Sequence, residues 1–250
     1  MSQGKSPTRL LVPGALQPGR SFALPSQQAH HAVRVLRLAA GDAVTLFNGD
    51  GAEYAGIIAR AARDRVMVEV TGRAMVDREA PLAVTLAQAI SSGDRMDYTL
   101  QKAVELGAAA IQPLTSSRSV VKLDAERAER RLAHWRTVVA GACEQSGRNR
   151  VPPVAPVAAL SDWLAQPPAA RGDALAVLLS PRASIGLRDL TRPAAGVILL
   201  AGPEGGFAED EEGIAVRAGY AAVRLGPRVL RTETAAVAAL AAMQALWGDF

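Results

Sequence analysis

The feature that most constrains the fold is a set of near-continuous apolar runs, each separated from the next by a helical pattern. The runs are Leu82–Ile90, Ala110–Leu114, Ala174–Ser180, Val197–Ala201 and Ala221–Leu225. Strands with one wet face alternate polar and apolar residues, whereas strands covered on both faces do not. Between the runs, Asp94 can cap a helix reaching Leu106, and Gly107 ends it. A longer helix begins at Asp124, with Leu132, Trp135, Val139 and Ala142 at helical spacing. Glu209–Glu212 place four acids in a first helical turn, where the macrodipole favours them. An alanine-rich helix, Thr234–Trp247, closes the chain. Strands alternating with helices predict an α/β fold with a parallel sheet and crossover helices.

Residues 1–75 read differently. Arg9–Val12, Ser21–Leu24, Ala43–Phe47, Glu53–Ile58 and Arg65–Thr71 are short strand-like runs separated by turn residues. Asn48-Gly49-Asp50-Gly51 is a hairpin signal, because Asn and Gly tolerate positive φ. One helix interrupts them, capped by Ser26, lined by Ala29, Ala32, Val33 and Leu36, and followed by Gly41. The pattern predicts a small β-barrel, with Arg73–Pro81 as a linker and domains at 1–75 and 76–250. The Pro/Ala-rich stretch Val151–Ala170 reads as a connection inside the second domain.

No apolar run reaches the roughly 18–20 residues needed to span a bilayer, and Met1–Arg20 has no signal-peptide core. The single cysteine, Cys143, excludes an internal disulfide. These features predict a cytoplasmic protein without membrane contact. The net charge is +4, and Thr115–Arg150 alone carries eight Lys/Arg against four Asp/Glu. That segment is either a phosphate-binding face or a solvated charged helix.

The strongest local signal is Leu199-Leu200-Ala201-Gly202-Pro203-Glu204-Gly205-Gly206-Phe207, a buried strand entering a glycine turn and then an acidic helix start. Glycines let backbone groups approach a ligand closely. The turn lacks the Gly-Lys-Ser/Thr of a phosphate-binding loop and the Gly-x-Gly-x-x-Gly of dinucleotide enzymes. The acids after it argue for a neutral or cationic ligand. A second strand ends in Leu225-Gly226-Pro227-Arg228-Val229-Leu230-Arg231-Thr232-Glu233-Thr234-Ala235, where Thr232 or Thr234 can cap the last helix. Glycine loops at the carboxyl ends of strands are where open α/β sheets bind ligands.

These two loops together resemble the signature of the 16S ribosomal RNA uridine-N3 methyltransferases, the RsmE family, within the SPOUT class of S-adenosyl-L-methionine-dependent enzymes. His30–Arg37 with Gly41-Asp42, and Phe47–Gly51, resemble the family's N-terminal domain. Arg95–Tyr98 with Gln101–Gly107, Arg118–Lys122 and Glu144–Arg148 continue the match in order. It runs from about Arg9 to Phe250, with Cys143 where a small residue such as Ala is expected.

The resemblance implies a C-terminal parallel-sheet trefoil-knot (SPOUT) domain and a small N-terminal PUA-like β-barrel domain that binds RNA. It also implies a homodimer acting on 16S rRNA or the small ribosomal subunit. The cofactor would be held by three loops. Leu178-Leu179-Ser180-Pro181 is the third, beside Leu200, Gly202, Pro203, Glu204 and Gly205, and Leu225, Gly226, Leu230 and Thr232. Uracil N3 carries a proton, so the reaction needs a base or a stabiliser of the deprotonated imide. Arg231 is the expected catalytic residue, with Glu233 orienting it or accepting the proton. Glu204 either faces the cofactor's charged groups or braces its turn. Arg9, His31, Arg34, Arg37, Arg118, Gln145 and Arg148, with Asn149, are the RNA-contact candidates; Arg34 and Arg37 share a helix face by spacing. Of His30 and His31, one is expected to pack and the other to meet RNA. No metal site is expected, because the histidines lack partners at ligand spacing. A non-catalytic RNA-binding factor is the competing reading, and the intact loops speak against it.

Overall fold

A computed structural model describes residues 7–62, 65–119, 124–166 and 172–250. The chain forms two compact units, Met1–Glu79 with Cys143–Val151, and Ala80–Ala142 with Pro152–Phe250.

The first unit contains β1 (Thr8–Leu11), β2 (Ser21–Ala23), α1 (Ser26–His30), β3 (Ala43–Phe47), β4 (Ala52–Ala62) and β5 (Arg65–Met75). They form a five-stranded sheet in the order β1-β3-β4-β5-β2, in which β1 runs parallel to β3 and the remaining pairs are antiparallel. The predicted hairpin joins β3 to β4, and Asn48 Oδ1 accepts the Asp50 N–H at 3.1 Å. Alternate residues Val66, Val68 and Val70 enter a core with Leu10, Leu46, Tyr54 and Ile58. β5 extends through Arg73–Met75, which the sequence reading assigned to a linker.

Two local expectations fail here. After α1 the chain widens into a π-helical turn, His31–Val35, and Arg37 lies beyond it with φ of 55°. The α-helical spacing that put Arg34 and Arg37 on one face therefore does not apply. His30 and His31 are both exposed, so neither packs.

The segment Cys143–Val151 belongs to this unit through polar bonds that no local pattern announces. Glu144 accepts the Leu11 N–H at 2.9 Å, Arg78 Nη1 donates to Gly147 O at 3.0 Å, and Asn149 Nδ2 donates to Val76 O at 2.7 Å. Burial pushes the Cys143 thiol up to about 12, so it carries no nucleophilic thiolate at neutral pH.

In the second unit come β6 (Val84–Ala89), α2 (Asp94–Glu105), β7 (Ala108–Thr115), α3 (Ala125–Ser146), β8 (Ala158–Ala159), α4 (Leu160–Leu164), β9 (Leu175–Leu179), β10 (Ile185–Gly186), β11 (Val197–Ala201), α5 (Glu209–Arg217), β12 (Ala221–Arg224) and α6 (Thr232–Trp247). The helix α3 runs on into the returning segment of the first unit. The sheet order is β10-β12-β9-β11-β6-β7-β8, and every pairing is parallel. Its two faces are both covered, which explains the apolar runs. Val84, Leu86, Val177, Leu199 and Val223 pack against Ala236, Ala239, Leu240, Met243 and Trp247 of α6. Ala87, Ala89, Leu178, Ile198 and Leu200 pack on the other side with Leu160 and Leu164 of α4 and Ala215 of α5.

The helix starts need two corrections. Asp94 is the first helical residue of α2 and makes no cap; Gly93 holds the cap position. Neither Thr232 nor Thr234 caps α6, which begins at Thr232 after Arg231. Asp124 does cap α3, accepting the Arg127 N–H at 2.8 Å. No helix among the described residues is long and apolar enough to cross a membrane.

Leu240 is fully buried under the sheet. Leu240→Ala should therefore lower unfolding stability by about 2–5 kcal/mol, read from urea denaturation curves.

Candidate active site

Three loops at the carboxyl end of the parallel sheet enclose a cavity of about 310 Å3, within the range of small-molecule sites. The loop after β9 contributes Leu179 to Arg182, the loop after β11 contributes Gly202 to Phe207, and the loop after β12 contributes Leu225, Gly226 and Arg228 to Leu230. Val223, Ala201 and Ala235 complete its apolar lining.

A buried polar node ties these loops together. Thr232 Oγ1 donates to Gly202 O at 2.6 Å, and Gln88 Nε2 reaches Gly202 O and Thr232 Oγ1, both at 3.2 Å. Gln88 is fully buried at the end of β6, so its amide has no water to fall back on. The Gly202 turn is tight, since a Cβ there would sit 3.3 Å from the Gly206 and Phe207 backbone. Gly226, at φ of 72°, takes a conformation that favours glycine.

Two acids of α5 organise the loops. Glu211 accepts the Ala208 N–H at 2.9 Å and the Ser117 N–H at 2.7 Å. Glu212 accepts from Ser180 Oγ and pairs with Arg182, both at 2.9 Å. These bonds give Glu211 and Glu212 a structural role beside the cavity.

Glu204 braces its turn across to β6. It accepts from Ser92 N at 2.8 Å, Ser92 Oγ at 2.7 Å and Arg95 Nη1 at 2.9 Å. Burial alone would raise its pKa, but the Ser92 hydroxyl, the backbone N–H groups and the Arg95 guanidinium outweigh that and hold it at about 2. Arg95 also faces Glu233, with Nε 4.0 Å from Oε1. Glu233 Oε2 is buried and has no hydrogen-bond partner among the described residues.

Comparison with known proteins places this arrangement. Residues 78–244 match the family model of the RNA methyltransferase domain, and residues 24–71 match that of the RNA methyltransferase PUA domain. Ribosomal RNA small subunit methyltransferase E of Bacillus subtilis is 32% identical, over 89% of each chain. The same-named protein of Mycobacterium bovis is 36% identical, over 88% of this chain and 84% of that one. The chain belongs to the ribosomal RNA small subunit methyltransferase E family. A crystal structure of the Neisseria gonorrhoeae member, bound to S-adenosyl methionine, has a TM-score of 0.90 at 43% identity, covering 98% of this chain and 99% of that one. A Legionella pneumophila structure in complex with the cofactor SAM has a TM-score of 0.94 at 39% identity, covering 98% and 100%.

Against that family, the sequence-derived residues sort by position. Leu179, Gly202, Pro203, Glu204, Gly205, Leu225, Gly226, Leu230 and Thr232 all line the cavity. Leu178 and Leu200 do not: both are fully buried between paired strands, one step inside the sheet from the loops. Arg231 is exposed and makes no ion pair or side-chain hydrogen bond among the described residues. The structure pairs Glu233 with Arg95 and not with Arg231.

Of the RNA-contact candidates, Arg9 and Arg148 are engaged within the first unit. Arg9 is bound to Glu53 at 2.5 Å and to Asn149 Oδ1 at 2.6 Å, and Arg148, with 4% exposure, pairs with Glu79. Arg9 is only half-buried, whereas a buried guanidinium such as that of Arg148 must be neutralised in place. Asn149 is likewise buried. His31, Arg34, Arg37 and Gln145 are exposed. Arg118 is exposed and donates to Gly205 O at 3.1 Å; Val120, Val121 and Lys122 of the same motif lie outside the described residues. Among the described residues no three His, Cys, Asp or Glu gather as metal ligands.

The sequence reading missed Gln88, Ser92 and the bridging role of Arg95. A signal existed for Gln88, a polar residue inside an otherwise apolar run.

Thr232→Val removes a buried donor and leaves Gly202 O short of a partner, so urea denaturation should show a loss of about 1–3 kcal/mol. Glu204 has a folded pKa below its ordinary 4.5, so its contribution is present above that value and fades as pH falls toward about 2. The stability gap between wild type and Glu204→Gln should accordingly be full at neutral pH and shrink below pH 4.5, measured by denaturation across pH.

Proposed function

We propose that this chain transfers a methyl group from S-adenosyl-L-methionine to N3 of a uridine in 16S ribosomal RNA, acting in the cytoplasm as a homodimer on the small ribosomal subunit. The observation that carries this reading is the cavity built from three strand-end loops in a chain of this family.

The residues present fit the cofactor. Leu179, Val223, Leu225 and Leu230 offer an apolar wall for an adenosyl group, and the glycines of both loops leave backbone N–H and C=O groups open to it. Arg228 lines the cavity above Gly226 and has no carboxylate partner among the described residues, which suits the carboxylate of an amino-acid moiety. When bound, the cofactor supplies an electrophilic methyl group on a sulfonium, whose departure leaves a neutral thioether.

The protein's own task is the N3 proton. Arg231, exposed and without an ion pair among the described residues, stabilises negative charge on a uracil carbonyl oxygen, and Glu233, in the first turn of α6, orients it or accepts the proton. His31, Arg34, Arg37 and Gln145 of the first unit, and Arg118 of the second, contact the RNA. The trefoil knot belongs to the same reading. In the sheet β12 lies beyond β9 from β11, yet α6 starts at the Gly202 turn that follows β11. The last loop therefore returns across the end of β9, as a threaded chain requires. The alanine-rich α6 suits a close helix contact between subunits.

Mass spectrometry of 16S rRNA from a strain lacking the gene should show N3-methyluridine lost, and restored by the wild-type gene but not by Arg231→Ala. The Arg231→Ala protein should keep the wild-type melting temperature. Unchanged N3-methyluridine in the deletion strain would remove the assignment.

A further inference from the structure

Three strand-end loops form most of the cavity, and a fourth reaches it. After β7 the chain turns at residues 116–119, where the Ser119 N–H donates to Ser116 O and the Ser116 N–H donates to Ser119 Oγ, both at 3.1 Å. This turn presents Arg118, which lines the cavity with Gly205. The arginine lies along the glycine turn after β11: a Cβ at Gly205 would sit 3.4 Å from Arg118 Cβ and 3.6 Å from its Cδ. Gly205 takes no positive φ. Its missing side chain therefore serves the close approach of the arginine, since anything beyond a Cβ would compete for the same space.

Arg118 Nη1 donates to Gly205 O at 3.1 Å, with Phe207 O at 3.5 Å. The other edge of the same peptide is held as well, because the Gly206 N–H donates to Pro203 O at 2.9 Å. A trans peptide unit is planar, with its C=O and N–H pointing opposite ways, so the two bonds pin the Gly205–Gly206 plane from both edges. Two residues without Cβ flank that plane, and little steric resistance would otherwise oppose its flipping. The loop after β7 is docked a second time where the Ser117 N–H donates to Glu211 Oε1 at 2.7 Å.

We infer that Arg118 is a positioning residue for the cofactor: from the loop after β7 it fixes the Gly205–Gly206 peptide and so keeps the glycine turn in the shape that S-adenosyl-L-methionine meets. The inference rests on the methyl-transfer reading above and gives Arg118 a duty besides RNA contact. A turn held in place before binding spares the cofactor the cost of ordering it, which raises affinity without a direct bond. The hydrogen bond of the guanidinium does this, while the aliphatic stem only packs against Gly205.

Isothermal titration of S-adenosyl-L-methionine without RNA, beside hydrogen exchange of the cofactor-free protein, tests this. Arg118→Met keeps the packing and removes the donors. It should weaken the cofactor Kd about fivefold, the scale of one lost hydrogen bond. It should also speed exchange in the peptide spanning Gly202 to Phe207, where the Gly206 amide reports the plane, and leave exchange over α6 unchanged. Arg118→Lys, which keeps one charged donor, should fall between Arg118→Met and wild type in both measurements. A Kd for Arg118→Met within about twofold of wild type overturns the inference. A weaker Kd with unchanged exchange in the turn overturns it as well, because Arg118 would then touch the cofactor directly. Faster exchange that extends over α6 overturns it too, as a general loosening of the unit. A wild-type protein that binds no cofactor is a separate result, and it strikes the parent reading.

Discussion

The carbonyl of Gly202 is the point on which the site depends. It accepts hydrogen bonds from Thr232 Oγ1 and from Gln88 Nε2, so the turn after β11, the start of α6 and the end of β6 meet at one oxygen. None of these groups can turn to water without opening the sheet's end, because Gln88 is fully buried and Thr232 is 8% exposed. A buried polar node of this kind is costly when incomplete and specifying when complete. It holds the loop after β12 against the loop after β11, and the cavity is the space left between them and the loop after β9.

Ion pairs do the corresponding work at the rim. Glu212 ties Ser180 and Arg182 to α5, Glu211 reaches Ser117, and Glu204 reaches Ser92 and Arg95. Glu204, Glu211 and Glu212 are thereby each committed to a neighbour. The cations divide differently. Arg9 and Arg148 are spent inside the first unit, where they join the returning segment to β1 and to Glu79. Arg34, Arg37 and Arg231 remain exposed, as contacts with an anionic polymer or a developing negative charge require.

The fold was legible wherever burial imposes a pattern. Strands covered on both faces leave unbroken apolar runs, so β6, β7, β9, β11 and β12 were each found within a few residues. The hairpin at Asn48–Gly51 and the start of a long helix at Asp124 were read from local chemistry that the structure retains. The two-residue strands β8 and β10 are too short to leave a period. The π-helical turn at His31–Val35 was hidden because its residues differ little from those of an α-helix. Roles set by distant partners were hidden most of all. Nothing near Arg148 in sequence says that it meets Glu79, and nothing near Glu233 says that it faces Arg95 instead of Arg231. Thr232 was read as a cap because local chemistry allows it, whereas its hydroxyl is taken by Gly202 thirty residues earlier.

We propose that these loops hold an adenosyl cofactor with its methyl group turned toward Arg231 and Glu233. A crystal structure of this protein with S-adenosyl-L-methionine measures that directly. The adenosyl group is expected between the loops that start at Leu179, Gly202 and Leu225, with the methyl carbon facing Arg231 and Glu233. A cofactor bound outside this cavity, or a methyl group facing away from both side chains, would contradict it.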